Sequence, residues 1–399
     1  MDIRSNKPFW LVKNALAESY SALRVSLDTD VLIIGGGITG ALMGYQMLKE
    51  GRQTILIDKR DVCHGSTAAS TSMLQYEIDV PLHLLIEKRG LTCAVSSYQN
   101  CEKAIDKLKK ISTEIKSNCQ FNNKKSIYFC TSKKDKDFLL KEYNIRKAHG
   151  FKVAWLDSKS LNILGLKAYA AIESSSGAVM DAYKFAQDLL AFSSEKGLQV
   201  FDRTSADHIE FNKENIKVTT NHGTVIHAKH IINCTGYEST ERLKETVVDL
   251  KSTYALASEA FAELPKPFKN HIYWNTSSPY HYFRSTADGR IIMGGGDEDF
   301  KNAKKRDALL PKKEKQLVKA FASYFPDIPF HLDYSWAGTF GETKDGLPYM
   351  GRPDLDKNEH YILGFGGNGI TYSVMGMDAI ASSLENKPHP YLEYYKFKR

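Results

Sequence analysis

The chain of 399 residues has few cysteines, and they form no recognisable cluster. Its six cysteines include no CxxC pair and no spacing typical of a metal site, which argues against a zinc module or a disulfide-rich secreted fold. The N-terminus shows no secretory signal, and the sequence contains neither an internal repeat nor a low-complexity segment. We therefore expect a cytoplasmic globular protein with reduced thiols and no bound metal.

The net charge is also small for this length, and long apolar runs are few. There are 54 basic and 47 acidic residues, a net charge of +7, and the basic excess lies largely between Lys103 and Lys147. Lysines recur there among apolar positions, as on solvated helix faces, so a nucleic-acid partner is not expected. The uncharged run Val31–Leu48 contains five glycines, which predicts a buried strand, a turn and a helix. No membrane span is expected.

What the sequence does contain predicts an α/β fold. The short apolar runs Asp30–Ile34 and Thr54–Ile57 are typical of central parallel strands, and a helix is expected between them. A similar strand, glycine turn and helix recur near the end, at Tyr361–Gly364 and Ile370–Leu384. Short β segments separated by turns fill much of 198–300. These alternations predict a nucleotide-binding domain made of separated segments, with a substrate domain inserted between them.

The pattern Gly35-x-Gly37-x-x-Gly40 stands between the first predicted strand and helix, which is the context of a dinucleotide-binding turn. The first glycine permits the tight turn, the second lets the backbone approach a pyrophosphate, and the third lets helix and strand pack closely. The helix N-terminus then presents partial positive charge to the phosphates. Asp58 ends the second strand, where its carboxylate can accept hydrogen bonds from a ribose. NAD and FAD share this fingerprint, so it predicts a dinucleotide without choosing between them.

Four later segments add to this pattern. In chain order they are Gly65–Thr71, Ile231–Gly236, Trp336–Gly338 with Thr343–Gly351, and Gly364–Gly369. These segments resemble the D-amino-acid oxidase superfamily, which includes glycine oxidase and sarcosine oxidase. They are similar to the family's second FAD-contact loop, the strand and Thr-Gly turn beside the dinucleotide, the segment that enters the flavin site, and the C-terminal flavin loop. The resemblance implies noncovalent FAD. Cys63 or His64, beside the second loop, are the positions where a covalent link is conceivable.

The resemblance also implies the architecture: a Rossmann-type FAD-binding domain with an inserted α+β substrate domain built on a mainly antiparallel sheet. The FAD-binding domain is expected to comprise residues 1–90, 149–238 and 337–399, and the substrate domain residues 91–148 and 239–336. A helix N-terminus after the last glycine loop would stabilise negative charge on the reduced flavin. The implied cofactor contacts are Gly35, Gly37, Ile38, Thr39, Gly40, Asp58, Lys59, Arg60, Ser66, Thr67, Ala68, Ala206, Thr235, Gly236, Gly338, Gly366, Gly367, Asn368, Gly369 and Ile370.

The activity implied by the resemblance is oxidation of a C–N bond in an amine or amino acid. The substrate's α-hydrogen leaves as hydride to flavin N5, and the resulting imine hydrolyses. This chemistry demands no acid–base residue, so the catalytic residues are unknown, and dioxygen, a quinone or a protein could reoxidise the flavin. Three alternatives stay open: a flavoenzyme that oxidises a C–OH bond of glycerol 3-phosphate or a 2-hydroxy acid, a flavin-binding subunit without independent turnover that serves as a scaffold or RNA-modification module, and an NAD dehydrogenase.

Members of the family bind a substrate carboxylate with charged residues, and this chain has no charged residue at the corresponding positions. Those places correspond to about Phe340, Gln75 and Thr371, all uncharged, which makes a simple amino acid a less expected substrate. Arg284 could bind a carboxylate through both guanidinium nitrogens, although a structural salt bridge explains it equally well.

Other candidate substrate contacts follow from position. Tyr254, Tyr282 and His281 belong to a β-rich region that lines the substrate face in relatives. Glu77 and Asp79 come just after the second FAD loop. If these carboxylates point inward they favour a cationic amine or polyamine; if they point outward they are merely solvated.

Overall fold

A computed structural model describes residues 2–5, 7–15, 18–243, 245–364 and 366–399. Phe365, which belongs to the C-terminal loop indicated by the sequence, lies outside the described residues. In the described part the strands are β1 (Leu27–Ile34), β2 (Thr54–Ile57), β3 (Met73–Gln75), β4 (Asn122–Asn123), β5 (Lys125–Cys130), β6 (Val153–Asp157), β7 (Ala170–Ser174), β8 (Gly177–Val179), β9 (Gln199–Phe201), β10 (Ala206–Phe211), β11 (Ile216–Thr220), β12 (Val225–Asn233), β13 (Asp249–Ser258), β14 (His271–Asn275), β15 (His281–Ser285), β16 (Ile291–Asp299), β17 (Leu332–Glu342), β18 (Tyr349–Gly351) and β19 (Glu359–Leu363).

The α-helices of the same part are α1 (Phe9–Asn14), α2 (Ile38–Lys49), α3 (Ser66–Ala69), α4 (Leu82–Arg89), α5 (Leu91–Glu114), α6 (Lys136–Ala148), α7 (Ser158–Ile163), α8 (Ala182–Glu195), α9 (Lys266–Asn270), α10 (Ala303–Ala308), α11 (Leu310–Tyr324), α12 (Gly369–Leu384) and α13 (Pro390–Tyr394). Short 3₁₀ helices lie at Lys133–Asp135, Gly236–Glu241 and Gly366–Asn368.

The first large sheet contains the strands that the glycine loops follow. Its order is β10-β11-β12-β1-β2-β9, with β19 beside the end of β12 and β18 beside β19. Strands β19, β12, β1, β2 and β9 run parallel, so their carboxyl ends share one edge. Ligands of open α/β sheets bind at that edge. The loops after β1 and β19 therefore meet there.

The two faces of β1 enter different hydrophobic cores. Val31 and Ile33 pack in a core that includes α2, α8 and α12, whereas Leu32 and Ile34 pack in a second core with β2 and β11. Fully burying one such side chain contributes roughly 1.5–3 kcal/mol. Because both faces are covered, the strand needs a continuous apolar run rather than alternation, which is the pattern that the sequence shows.

The second large sheet has the order β17-β13-β16-β15-β14-β5-β7-β6. Its neighbouring strands are antiparallel except for β14 and β5, which are parallel. Leu317 and Phe321 of α11 pack against Phe283 and Met293 on one face. The predicted fold class, an α/β protein with a mainly antiparallel second sheet, is confirmed.

The sheets divide the chain differently from the predicted domain ranges in two places. Strands β6 and β7 lie within 149–238, which was assigned to the FAD-binding domain, yet they extend the second large sheet. Helix α5 lies within 91–148, which was assigned to the substrate domain, yet it packs in the core of the first sheet with α12, where Cys101 Sγ lies 3.9 Å from Met375 Sδ. We propose a division that follows the sheets.

The lysine-rich stretch from 103 to 147 lies mainly on the surfaces of α5 and α6. Lys107 Nζ lies 2.9 Å from Asp378 and Lys141 Nζ 3.2 Å from Glu87. Some of these lysines therefore form ion pairs with carboxylates, although such exposed pairs contribute little stability. Among the described helices, none is both long and apolar enough to cross a membrane.

Candidate active site

Residues of both large sheets line one cavity of about 500 Å³. The first sheet contributes the end of β1 with the loops that follow β1, β2, β12 and β19. The second contributes residues of β13, β15, β16 and β17. A cavity of this size is typical of a small-molecule or cofactor site. It is the candidate active site.

The glycine loop after β1 is as tight as its sequence predicts. Gly35 has φ of +106°, and a Cβ there would lie 2.5 Å from the carbonyl oxygen of Cys234. A Cβ at Gly40 would lie 1.9 Å from the carbonyl oxygen of Gly35. Gly37 and Ile38, at the N-terminus of α2, line the cavity. The helix dipole and free N–H groups at such a terminus suit a pyrophosphate.

Asp58 directly follows β2 and lines the cavity. Its carboxylate accepts hydrogen bonds from the backbone N–H of Gly36 at 2.7 Å and of Arg60 at 2.8 Å. Burial raises the pKa of Asp58 to about 6, while those two backbone N–H groups act in the opposite direction. Beside it, Lys59 Nζ and Arg60 Nη2 both lie 2.8 Å from Glu238 Oε1. These residues form the polar end of the cavity expected for a ribose.

The loop after β2 continues this lining. Thr67 Oγ1 accepts a hydrogen bond from the backbone N–H of Ile38 at 3.0 Å, which ties the loop to the start of α2. Trp336 Nε1 donates to the carbonyl oxygen of Ala69 at 2.8 Å. The buried hydroxyl of Ser66 has no hydrogen-bond partner among the described residues. A buried polar group in a lining is most simply satisfied by a ligand.

Asp79 holds the glycine loop after β19. Its carboxylate accepts hydrogen bonds from the backbone N–H of Gly367 at 2.7 Å and from the Tyr280 hydroxyl at 3.3 Å. A Cβ at Gly366 would lie 2.4 Å from Asp79 Oδ2. Burial raises the pKa of Asp79, and its bond to Gly367 opposes that shift. The carboxylate is therefore a structural partner of the loop and is not among the described residues that line the cavity.

Asn368 supports the same loop from behind. Its Nδ2 donates to the carbonyl oxygens of Gln75 at 3.1 Å and Glu77 at 2.9 Å. The carboxylate of Glu77 is buried, and its Oε1 lies 3.4 Å from Arg146 Nη1. Glu77 thus neither faces the cavity nor meets solvent, contrary to both orientations considered from the sequence.

Most of the expected cofactor contacts line the cavity. They are Gly35, Gly37, Ile38, Thr39, Asp58, Lys59, Arg60, Ser66, Thr67, Ala206, Thr235, Gly236, Gly338, Gly366, Gly367, Gly369 and Ile370. Gly40, Ala68 and Asn368 do not. Gly40 acts through helix packing, Ala68 is buried in the core, and Asn368 fixes the loop. The glycine cradle, the open helix N-terminus and the unpartnered Ser66 hydroxyl together fit the pyrophosphate of FAD.

The expected substrate contacts divide into two groups. Gln75, Tyr282 and Phe340 line the cavity, whereas Tyr254 and Arg284 do not. Tyr254 is fully buried in the core of the second sheet. Gln75 and Phe340 are uncharged, so neither side chain can form an ion pair with a substrate carboxylate.

The sequence allowed Arg284 to bind a substrate carboxylate, but the contacts of this side chain show a different role. Arg284 Nη1 donates to the carbonyl oxygens of Thr71, Ser72 and Met180 at 3.1, 2.8 and 2.7 Å. Its guanidinium also lies over the Trp10 ring, 5.5 Å from the centroid. Burial lowers the pKa of Arg284 to about 9. The side chain therefore joins backbone segments and does not reach into the cavity.

Three other side chains that the sequence suggested as site residues do not line the cavity. His281 Nδ1 lies 2.9 Å from the Tyr324 hydroxyl, and burial lowers the pKa of His281 to about 4. Cys63 is buried, with its thiol 3.4 Å from the carbonyl oxygen of Gly36, and His64 Nε2 lies 3.3 Å from the Tyr183 hydroxyl. Neither Cys63 nor His64 is among the described lining residues, so noncovalent binding remains the prediction.

Sequence reasoning missed several residues of the lining, among them Thr253, Tyr280 and Asp297. Asp297 is the last residue of a Gly-Gly-Gly-Asp run in β16. Consecutive glycines inside a strand indicate a bulge or a close approach of another chain segment. That signal was present, but only the sheet register shows that it brings an acid to the cavity.

Comparisons with known proteins agree with this geometry. Residues 30–382 match the protein-family model described as FAD dependent oxidoreductase. The chain is 25% identical over 391 residues to a protein of Bacillus subtilis (strain 168) with the provisional name Rieske 2Fe-2S iron-sulfur protein YhfW, covering 96% of this chain and 74% of that one. It is 23% identical over 395 residues to glycine oxidase of Bacillus licheniformis, covering 93% and 97%.

Among solved structures, glycine oxidase from Geobacillus kaustophilus superposes with a TM-score of 0.75 at 19% identity, covering 93% of this chain and 99% of that one. At this identity the likeness shows the shared fold, while the family match covers most of the sequence. The cofactor is accordingly FAD, and the chain belongs to the FAD dependent oxidoreductase family.

Proposed function

We propose that this chain oxidises a C–N bond of an amine or amino acid. The observation that carries the proposal is the cavity in which the glycine loop after β19 meets β13, β15, β16 and β17 of the second sheet. That arrangement puts a substrate-sized space beside the cofactor loops. The likeness to glycine oxidase over nearly the whole chain supports the choice of a C–N bond.

The residues that would hold FAD are those of the three loops after β1, β2 and β19, together with Asp58 and Thr235. When bound, FAD supplies the two-electron acceptor for the oxidation. The protein supplies orientation and electrostatics. The 3₁₀ turn at Gly366–Asn368 leads into α12, whose N-terminus carries partial positive charge.

The second sheet would position the substrate. Tyr280, Tyr282 and Phe340 offer ring surfaces in the lining, which orient an organic substrate and reduce its contact with water. Gln75 Nε2 is a buried donor without a partner among the described residues. Thr253 adds a hydroxyl, so the substrate meets mainly uncharged groups apart from Asp297.

We further propose a small-molecule substrate and a cytoplasmic location. The six cysteines are all buried and unpaired, which suits a reducing compartment.

The test is anaerobic reduction of the bound flavin. Purified protein is expected to absorb in the visible range and to bleach when mixed with amines, N-methyl amino acids or D-amino acids. Bleaching by hydroxy acids or glycerol 3-phosphate alone would assign the reaction to a C–OH bond. A protein that stays colourless after addition of FAD would contradict the cofactor itself.

A further inference from the structure

A β-bulge turns one carboxylate of β16 toward the cavity. The register between β13 and β16 shifts between Ser252 and Tyr254, so that Thr253 faces two residues, Gly296 and Asp297. Bulges of this kind redirect side chains and are common beside active sites. Thr253 and Asp297 both line the cavity as a result.

The glycines of the bulge are required by their surroundings. Gly295 and Gly296 have φ of +134° and +69°, a region that favours glycine. A Cβ at Gly294 would lie 2.2 Å from the Tyr282 ring, and one at Gly295 would lie 2.3 Å from the carbonyl oxygen of Tyr280. The run of glycines therefore places both tyrosines and the carboxylate around one space.

The two tyrosines form an aromatic wall next to Asp297. Their ring centroids lie 5.6 Å apart with an interplanar angle of 43°, and both line the cavity. Aromatic faces attract cations, more strongly where water is excluded. A carboxylate beside two such rings is the combination expected for a positively charged nitrogen.

Asp297 also forms no ion pair with any residue that the structure describes. Its Oδ1 is buried and has no hydrogen-bond partner among the described residues. The nearby Lys313 is engaged elsewhere: its Nζ donates to the carbonyl oxygen of Gly296 at 2.7 Å and lies 2.7 Å from Glu298. Burial, with Glu342 and Asp79 nearby, raises the pKa of Asp297 to about 7, and a hydrogen bond with the Thr253 hydroxyl, together with Lys313, opposes this shift.

The cationic side chains of the lining are occupied as well. Among the described lining residues these are Lys59, Arg60 and Arg242. Lys59 and Arg60 pair with Glu238, and Arg242 Nη2 lies 3.6 Å from Glu359. Among the described lining residues, the cavity thus offers an acid without an ion-pair partner, while each cation that could bind a substrate carboxylate is already paired.

We propose that Asp297 receives the positively charged nitrogen of the substrate, so that the chain acts on cationic amines rather than on amino acids held by their carboxylate. This inference rests on the C–N oxidation proposed above and names its substrate class. An ammonium group must lose a proton before its C–N bond can be oxidised. In that step an N–H bond breaks, an O–H bond forms on Asp297, and the electron pair stays on nitrogen.

The experiment compares two probes that cannot be oxidised: the cation benzyltrimethylammonium and the anion benzoate. Their dissociation constants are measured by calorimetry with FAD-loaded protein at pH 8.5. Wild-type protein is expected to prefer the cation. Asp297→Asn is expected to weaken cation binding about 30-fold or more, because a buried charge loses its partner, while benzoate binding stays the same or tightens.

The matched control is Asp299→Asn, the same substitution two residues further along β16. Asp299 is exposed and pairs with Lys251, so both dissociation constants are expected to change less than about twofold. Thermal midpoints of both variants verify folding. Benzoate binding tighter than the cation in wild-type protein, or undiminished cation binding in Asp297→Asn, overturns the proposal. Release of FAD from Asp297→Asn also overturns it, since Asp297 would then serve the cofactor.

A second readout concerns the proton. With an oxidisable amine, kcat/KM of Asp297→Asn is expected to fall most near pH 7 and to recover toward pH 10, where the free amine is abundant in solution. A loss that is independent of pH contradicts proton acceptance by Asp297. If no amine bleaches the flavin but the cation still binds through Asp297, the proposed reaction fails while the binding site stands.

Discussion

Gly40 shows how one absent methyl group shapes the cofactor loop. A Cβ at this position would lie 1.9 Å from the carbonyl oxygen of Gly35, so helix α2 would have to move away from β1. We predict that Gly40→Ala lowers the free energy of unfolding by about 3 kcal/mol and weakens FAD retention. Urea unfolding and the ratio of flavin to protein absorbance after gel filtration measure the two effects.

Gly338 provides the control for that substitution. A Cβ there would meet its nearest neighbours, Ala69 and Thr253, at 3.6 and 3.7 Å, which is ordinary contact distance. Gly338→Ala should therefore leave the unfolding free energy within about 0.5–1 kcal/mol of wild type. Equal loss in both variants would show that the close approach at Gly40 is not the cause.

Asp297 gives a prediction for the dependence of stability on pH. The pKa of its carboxyl is raised in the folded state to about 7 from an ordinary 3.8. A raised pKa means that folding favours the protonated form, so this group's stabilisation is present at pH 4 and is lost as pH rises through 7. We predict that Asp297→Asn has a free energy of unfolding at least about 1 kcal/mol higher than that of wild type at pH 8.

Calorimetry at pH 8 and pH 5 measures this difference, which should shrink at the lower pH. Glu342, Asp79 and Lys313 are the charged groups acting on Asp297, and they are present in both proteins. A variant that is less stable than wild type at pH 8 would assign Asp297 a structural role.

At the scale of the elements, Arg284 links β15 to the segments around β3 and β8. Its guanidinium serves the carbonyl oxygens of Thr71, Ser72 and Met180. We predict that Arg284→Met lowers the free energy of unfolding by about 3 kcal/mol or more, because buried acceptors lose their donor. The dissociation constant of benzoate should not increase more than that of the cation benzyltrimethylammonium.

Urea unfolding of this variant is compared with Arg24→Met, which alters an exposed arginine that contacts His222. A stable Arg284→Met protein with specific loss of anion binding would restore the carboxylate role that the sequence alone allowed.

Asp79 links the segment after β3 to the C-terminal glycine loop. Its carboxylate holds the Gly367 N–H and the Tyr280 hydroxyl. We predict that Asp79→Ala raises the dissociation constant of FAD about 10- to 100-fold, as expected for loss of hydrogen bonds to a charged group. Titration of the apoprotein with FAD, followed by flavin fluorescence, gives the constant. Asp356→Ala, at an exposed position between β18 and β19, should bind FAD like wild type.

At the scale of the whole molecule, the cavity joins the two large sheets. Its lining includes Ile34 from the first sheet and Thr253 from the second. FAD at 100 times its dissociation constant should add about 2.7 kcal/mol to the free energy of unfolding. We predict one calorimetric transition that shifts upward as a unit. Two transitions, of which only one responds to FAD, would show that the sheets unfold independently.

The cofactor half of the site was largely predictable because its determinants are local. The spacing of Gly35, Gly37 and Gly40, and the position of Asp58 directly after β2, follow from one strand–turn–helix–strand unit. Neighbouring residues in such a unit cannot be far apart in space, so spacing alone fixes their geometry. Ala68 and Asn368 were placed on the correct loops, but whether a loop side chain faces the ligand or supports it depends on distant partners.

The substrate half depends on contacts between residues that are far apart in sequence. Whether Arg284 faced a ligand or three carbonyl oxygens was decided by segments more than a hundred positions away. Asp297 reached the cavity through the register of β13 against β16, which no local pattern specifies.

The sequence by itself determined the glycine turn, the parallel strands and the dinucleotide site, since steric limits on short segments leave few alternatives. Only the tertiary structure decided which buried charges are paired and which carboxylate is left for a ligand, because pairing in a folded core depends on long-range packing and register.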